Sequence, residues 1–283
     1  MEKDIDRKKF KEKKRAELEA LYDAVNEETL MIAEDPEKFS GYLRVQARFN
    51  RYTVTNAILL LHQFPDAQKL KTFEGWKRDG ASVKRGEKSI SILEPYSYTK
   101  ADGNTIKGFR IKKIFDISQT DLKHSPAPFL SGVSSRSLLR ALLEASPVET
   151  EAVDTLDHGK DAVYDQKKQK IYIRRMLDPD DFFRAAAVSI AEAQLAEQGV
   201  SCGQDELESK AKAIAFMLCV KYGIDPGSLR AKMPRATARM EIKEIKAELS
   251  EIRKTFTGIA DRADESIRVQ RKAGRERGRY EER

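Results

Sequence analysis

"SISILEPYSYTKADGNTIKGFRIKKIFDISQT", residues 89–120, alternates apolar and polar residues on both sides of an Ala-Asp-Gly-Asn turn. Period-two alternation about an Asp-Gly turn is the pattern of an antiparallel hairpin, and it predicts strands near Ser89–Pro95 and Gly108–Ile117. The residues before it have a helical period instead. A charged first helix carries Leu18, Leu21, Tyr22, Val25, Leu30 and Ile32 up to the break at Asp35-Pro36. A second helix starts near Pro36, presents Phe39, Tyr42, Leu43 and Ala47, and ends around Asn50. A third runs from about Val54 to Gln63 and stops before Pro65. The fold class that follows is α+β: helices, then a small antiparallel sheet.

Beyond a Pro-containing link, "LKHSPAPFLSG" (122–132), the pattern predicts a short helix at Ser135–Ala145 and a second hairpin in "AVYDQKKQKIYIRR", turning at Gln166–Lys168. Two longer helices follow. One opens with Asp178 as N-cap and Pro179 at the first helical position; the other stops at Gly223. The last segment spaces Ile242, Ile245, Leu249, Ile252, Phe256, Ile259 and Ala263 by alternating threes and fours, a heptad seam. Such a seam suits a helix docked on its own domain or an intermolecular coiled coil, and spacing does not choose between them. The Arg-rich end, 268–283, reads as a frayed, solvated tail. The expected units are a charged helix (1–35), a helical and hairpin domain (36–125), a mainly helical domain with a hairpin (130–230), and the seam helix with its tail (235–283).

Charge is distributed unevenly. Ser40–Phe115 holds 15 Lys or Arg against 6 Asp or Glu, whereas Glu144–Glu208 holds 7 against 15. The chain's net charge of +7 is therefore concentrated in the first domain, as expected of a domain that meets an anionic partner. The two cysteines, Cys202 and Cys219, have neither pairing nor metal-ligand spacing, and the N-terminus lacks a signal-peptide core. No window approaches a membrane span. A cytoplasmic protein is expected.

Within the basic region, cations and aromatics interleave: Arg48-Phe49-Asn50-Arg51-Tyr52, then Phe73 and Trp76-Lys77-Arg78, then Lys84-Arg85 and Lys88. Single-stranded nucleic acid suits this mixture, since phosphates need a cationic track and unstacked bases gain about 1–3 kcal/mol each on an aromatic platform. Taken singly, Phe49, Tyr52 and Phe73 read as core residues.

"YTVTNAILLLHQFPDAQKLKTFEGWKRDGASVKRGEKSISILEP" (52–95), followed by "KKIFDISQT", resembles the N-terminal single-stranded-DNA-binding domain of the ArdC and LtrC type, found in antirestriction and conjugation-associated proteins of mobile elements. Asn56, Gln63-Phe64-Pro65, Trp76 to Gly80, Val83-Lys84-Arg85-Gly86-Glu87-Lys88, Phe115-Asp116 and Gln119-Thr120 carry the likeness. The resemblance implies non-sequence-specific binding of single-stranded DNA. On a physical reading, Lys84, Arg85 and Lys88 contact phosphates, Arg48, Arg51 and Lys77 extend the track, and Trp76 and Tyr52 stack bases. Gly86 allows a tight turn, while Asn56 and Gln119 hold the structure through side-chain hydrogen bonds.

In such proteins the second domain is commonly a zinc metallopeptidase, which needs two His one helical turn apart, a Glu between them and a later third ligand. Here the corresponding stretch is "VSIAEAQLA" (188–196), without histidine, and Lys212 stands where the acidic ligand would align. The chain's histidines, His62, His124 and His158, have no ligand spacing. The second domain therefore reads as a noncatalytic relic, with no metal, no cofactor and no catalytic residues. Glu192, Glu206 and Glu208 read as solvated helix charges. The functional reading is a single-stranded-DNA-binding protein without enzymatic activity. The alternative is a protein-interaction scaffold that uses the second domain and self-association, or a protein partner, through 242–263.

Overall fold

The structure, a computed structural model, describes residues 2–99, 102–122, 133–227, 229–233 and 240–281. Helix α1 (Glu2–Glu34) ends before Asp35, whose carboxylate accepts from the Glu37 amide at 2.8 Å and caps α2 (Pro36–Arg48). Pro36 occupies the first turn, where its missing N–H has no intrahelical partner to lose. The Thr53 hydroxyl caps α3 (Val54–Gln63) in the same way, through the Asn56 amide.

Strands β1 (Leu70–Lys71), β2 (Ile90–Thr99) and β3 (Thr105–Asp116) form an antiparallel sheet in the order β1-β3-β2, with the short α4 (Phe73–Arg78) following β1. The hairpin is longer than its sequence pattern suggests, because Tyr96–Thr99 also pair with Thr105–Gly108. Burial explains the difference. Ile90–Leu93 are buried, but from Pro95 onward β2 is exposed, so its outer half needs no apolar alternation to remain a strand. Turn residue Ala101 lies outside the described residues.

As an edge strand, β2 would leave backbone groups open on the side away from β3. Helix α3 closes that edge with two side-chain amides. Asn56 donates to the Leu93 carbonyl at 2.9 Å and accepts from the Leu93 amide at 2.8 Å; Gln63 does the same at Ser91, both at 2.9 Å. At the far end of β3, the buried Asp116 carboxylate accepts the amides of Gln68, Lys69 and Ser118 at 2.7–2.9 Å. That joins the approach to β1, the end of β3 and the 3₁₀ turn Ile117–Gln119.

The second half contains α5 (Ser135–Glu144), β4 (Glu149–Val153), β5 (Ala162–Asp165), β6 (Lys170–Arg174), α6 (Pro179–Glu197) and α7 (Gln204–Tyr222). The expected hairpin is β5–β6. The sequence pattern missed β4, which pairs parallel with β6 to give a mixed sheet, because Glu-Thr-Glu-Ala-Val has no apolar alternation to announce it. Most of the Pro-containing link, residues 123–132, lies outside the described residues.

Helix α8 (Ile242–Glu281) uses its heptad seam within the chain. Ile245, Leu249, Ile252, Phe256, Ile259 and Ala263 are buried on the protein's own helices, so this face is not open for the self-association considered for 242–263. The helix also continues to Glu281 through the stretch read as frayed. Along its length, Lys246 reaches Asn26, Arg253 reaches the Asn50 carbonyl, and the Ala260 carbonyl accepts from Tyr222. Buried Lys210 of α7 lies 3.1 Å from Glu206 and 3.0 Å from Glu248, and also pairs with Glu251. Burial opposes the Lys210 charge, yet the hydrogen bonds that its ammonium donates to Glu251, Glu248 and Glu206 hold its pKa above the ordinary lysine range. Both halves share one apolar core, with the Arg44 guanidinium of α2 5.1 Å from the centroid of the Phe216 ring of α7. Among the described residues, no helix is long and apolar enough to cross a membrane.

Removing the Asn56 amide should damage the sheet. Asn56→Leu keeps the branching of the side chain but leaves the Leu93 N–H and C=O without partners, at about 1–3 kcal/mol each. Urea denaturation should show a loss of about 2–6 kcal/mol; a loss below about 1 kcal/mol would mean that the amide pairing is dispensable.

Candidate nucleic-acid interface

The loop between α4 and β2 carries three of the predicted phosphate contacts, and it is anchored on both sides. The Lys84 amide donates to the Gln119 carbonyl, and the Ser82 amide and carbonyl bond to the side chain and amide of Asp121. The Gln119 amide donates to the Lys88 carbonyl at 2.9 Å and to Glu87 at 3.0 Å, while its oxygen accepts the Asp116 amide. Between the anchors, Gly86 turns the chain at φ +90°, a conformation that L side chains rarely adopt. Lys84, Arg85 and Lys88 are exposed on this fixed loop. Lys84 bonds to the Ser118 carbonyl at 2.9 Å. Arg85, Lys88 and the exposed Lys77 of α4 form no ion pair among the described residues, so their charge is not neutralised locally.

Trp76 does not stack bases here. It is fully buried and donates its indole N–H to the Phe115 carbonyl at 2.9 Å, with the Lys69 and Lys71 ammonium groups 5.9 and 5.6 Å from the ring centroid. The reason is local: α4 turns Gly75 and Trp76 inward and Phe73, Lys77 and Arg78 outward, so cations adjacent in sequence lie on the opposite face. Phe73, read as a core residue, is instead 52% exposed and touches Phe115 edge-on. Its i, i+4 spacing to Lys77 was the signal that placed it on the solvent face.

The remaining candidates divide. Arg48 is half-buried and donates to the carbonyls of Pro65 and Arg44; burial lowers its pKa, and it clamps the chain after α3 rather than extending a track. Arg51 is exposed and paired with Asp261 of α8 at 2.9 Å. Tyr52 stacks on Phe49 with ring centroids 5.7 Å apart, and burial raises the pKa of its hydroxyl. Both Arg51 and Tyr52 line a cleft of about 550 Å³, whose other walls include Lys71, Arg78, Ile92, Glu94, Lys112 and Ile114. Lys77, Lys84, Arg85 and Lys88 do not line it. The predicted residues thus fall into a basic loop with α4 and a separate cleft.

Residues 19–125, which contain both features, match the family model of the N-terminal domain of the anti-restriction factor ArdC. That stretch of the chain is similar to the ArdC N-terminal domain. Two crystal structures of the antirestriction protein ArdC from plasmid R388, one metal-free and one Mn(II)-bound, share its fold. They align at a TM-score of 0.51 with 14% and 15% identity, over 77% and 76% of this chain and 86% and 85% of theirs. An uncharacterised Bacillus anthracis protein, pXO2-81, is 30% identical over 88 residues, which is 31% of this chain and 15% of that relative's length.

In the second half of the chain, α6 and α7 border another cleft of about 350 Å³, lined by Lys160, Asp161, Tyr164, Asp181, Arg184, Ser189 and Glu192, among others. Glu192 is not the solvated charge the sequence suggested. Burial, reinforced by the negative charge of Glu208, pushes its pKa up from 4.5 to about 7. Lys212 bonds to Glu208, and Glu206 belongs to the Lys210 cluster.

Two expectations follow. Trp76→Ala should cost about 3–5 kcal/mol of stability, and intrinsic fluorescence should show a blue-shifted emission that ligands leave unchanged; red-shifted, quenchable emission would contradict burial. Because the folded protein binds the Glu192 proton more tightly than the unfolded chain, this group's contribution to stability falls as pH rises from 4.5 to about 7. Glu192→Gln should therefore raise the melting temperature at pH 8 and flatten its pH slope over that window. An unchanged slope would show that Glu192 is ordinarily solvated.

Proposed function

We propose that this protein binds single-stranded DNA without sequence preference, serving a bacterial mobile element in antirestriction or in DNA transfer and replication, and that it catalyses no reaction. One observation carries the reading: an ArdC N-terminal domain presents Lys77, Arg85 and Lys88, exposed and not ion-paired, around an anchored loop. A strand backbone needs cations whose charge is not already neutralised, held where its phosphates can follow them. The antirestriction role and plasmid setting are taken from the fold relative, the R388 antirestriction protein ArdC.

The Mn(II)-bound form of that relative raises the question of a metal. The residues here do not fit one. Among the described residues, no group of three or more His, Cys, Asp or Glu is placed to hold a metal ion. Of the carboxylates lining the α6–α7 cleft, Asp161 is paired with Arg174 and Asp181 with Arg184, while Glu192 is half-buried, with the charges of Lys160 and Lys212 favouring its ionised form and Glu208 opposing it. Lysine ammonium groups compete with a cation rather than ligate it. The scaffold alternative loses its simplest surface, since the α8 seam is buried within the chain.

Fluorescence anisotropy of a labelled mixed-sequence single strand, across a salt series with equal-length duplex as competitor, tests the reading. Wild type should prefer the single strand. Lys84→Ala/Arg85→Ala/Lys88→Ala should weaken binding and lower the salt slope by roughly 2, at about 0.7 per single-strand phosphate contact. No preference in wild type, with no change in the variant, would overturn it.

A further inference from the structure

The outer half of the β2–β3 hairpin holds aromatic surface that the basic loop does not use. By strand alternation, Ile92, Glu94, Tyr96 and Tyr98 share one face of β2, opposite Lys112, Arg110, Gly108 and Ile106 on β3. The inner part of this face, Ile92, Glu94, Lys112 and Ile114, lines the cleft beside Arg51 and Tyr52. Moving outward, Glu94 is held between Arg110, at 2.6 Å, and Lys112, whose hydrogen bonds, Lys112's first, lower its pKa.

Next come the two tyrosine rings. They are stacked, with centroids 6.2 Å apart and planes within 6°, and are 37% and 50% exposed. Tyr96 lies across Gly108: a Cβ there would sit 3.0 Å from each of two ring carbons and the hydroxyl oxygen, so glycine lets the side chain rest on the opposing strand. The strand backbone thereby supports the platform. The two exposed rings share their face with Arg110 and Lys112, whose two positive charges meet the one negative charge of Glu94, so π surface and a residual positive charge are offered to the same ligand.

We infer that Tyr96 and Tyr98 form a base-stacking platform that continues the cleft, so that a single strand crosses from Tyr52 along Lys112 and Arg110 to the hairpin tip. This inference rests on the single-strand reading. The occupant is a nucleic-acid strand because the site pairs parallel aromatic faces with cations; an acidic peptide would need the cations alone. Trp76, the sequence's obvious stacking candidate, is buried, and the hairpin supplies the rings instead.

The test measures affinity by anisotropy with the full-length protein, using an intact single strand and an equal-length strand carrying abasic sites at its centre. The proteins are wild type, Tyr96→Ala/Tyr98→Ala and Tyr96→Phe/Tyr98→Phe. The Ala variant should bind the intact strand about 10-fold or more weakly, the scale of losing base–aromatic stacking, with an unchanged salt slope. The Phe variant should bind as wild type does, and the abasic strand should bind wild type and the Ala variant equally. Undiminished binding of the intact strand by the Ala variant would overturn the platform while leaving the single-strand reading in place. A loss of equal size for intact and abasic strands would also overturn it, by assigning the effect to charge or folding. Failure of wild type to bind either strand would overturn both.

Discussion

Two side-chain amides of α3 decide where the first sheet begins. Asn56 and Gln63 satisfy the outward backbone groups of Leu93 and Ser91 as a neighbouring strand would, so β2 is paired on one side by β3 and on the other by a helix. Backbone polar groups in a buried edge must find partners, and these amides meet that demand while α3 packs its apolar residues into the core. Once Ser91 and Leu93 are fixed, the register of the whole hairpin follows, including the face that presents Tyr96 and Tyr98. Asp116 plays the complementary part at the other end, gathering three amides and so placing the turn from which Gln119 reaches the basic loop.

Charge in this domain is sorted by its partners. Arg48 is occupied by carbonyls, Arg51 by Asp261, Lys71 by Asp79, and Arg110 and Lys112 by Glu94. These pairs set geometry within and around the cleft. Lys77, Arg85 and Lys88 keep their charge available to an external anion, and mobility there is limited by the hydrogen bonds at either end of the loop. Restricting the loop before binding reduces the ordering that binding must otherwise impose.

The α+β class, most helix limits and the structural hydrogen bonding of Asn56 were legible because they rest on local signals: capping residues, periodicity and a family pattern. What escaped was decided by tertiary contact. Trp76 stands among cations in sequence but on the opposite face of α4, and a six-residue helix is too short to display that periodicity clearly. The outer hairpin has no apolar alternation to mark it because its faces are solvated, and β4 has none because it is short and polar. The α8 seam had two uses that spacing alone could not separate; the apolar surfaces of α1, α5 and α7 give it an intramolecular partner. Glu192 looked like any helix carboxylate until the packing of α6 placed it against Glu208 in a half-buried cleft.

The central claim is that a single strand lies on the first domain, over α4, the basic loop and the outer hairpin, and not on the α6–α7 cleft. Hydrogen–deuterium exchange of the full-length protein, with and without saturating single-stranded DNA, tests it most directly. The account predicts slowed exchange in residues 73–88 and 94–112, with α6 and α7 unchanged. Unchanged exchange across 73–112, or protection confined to 179–222, would contradict it.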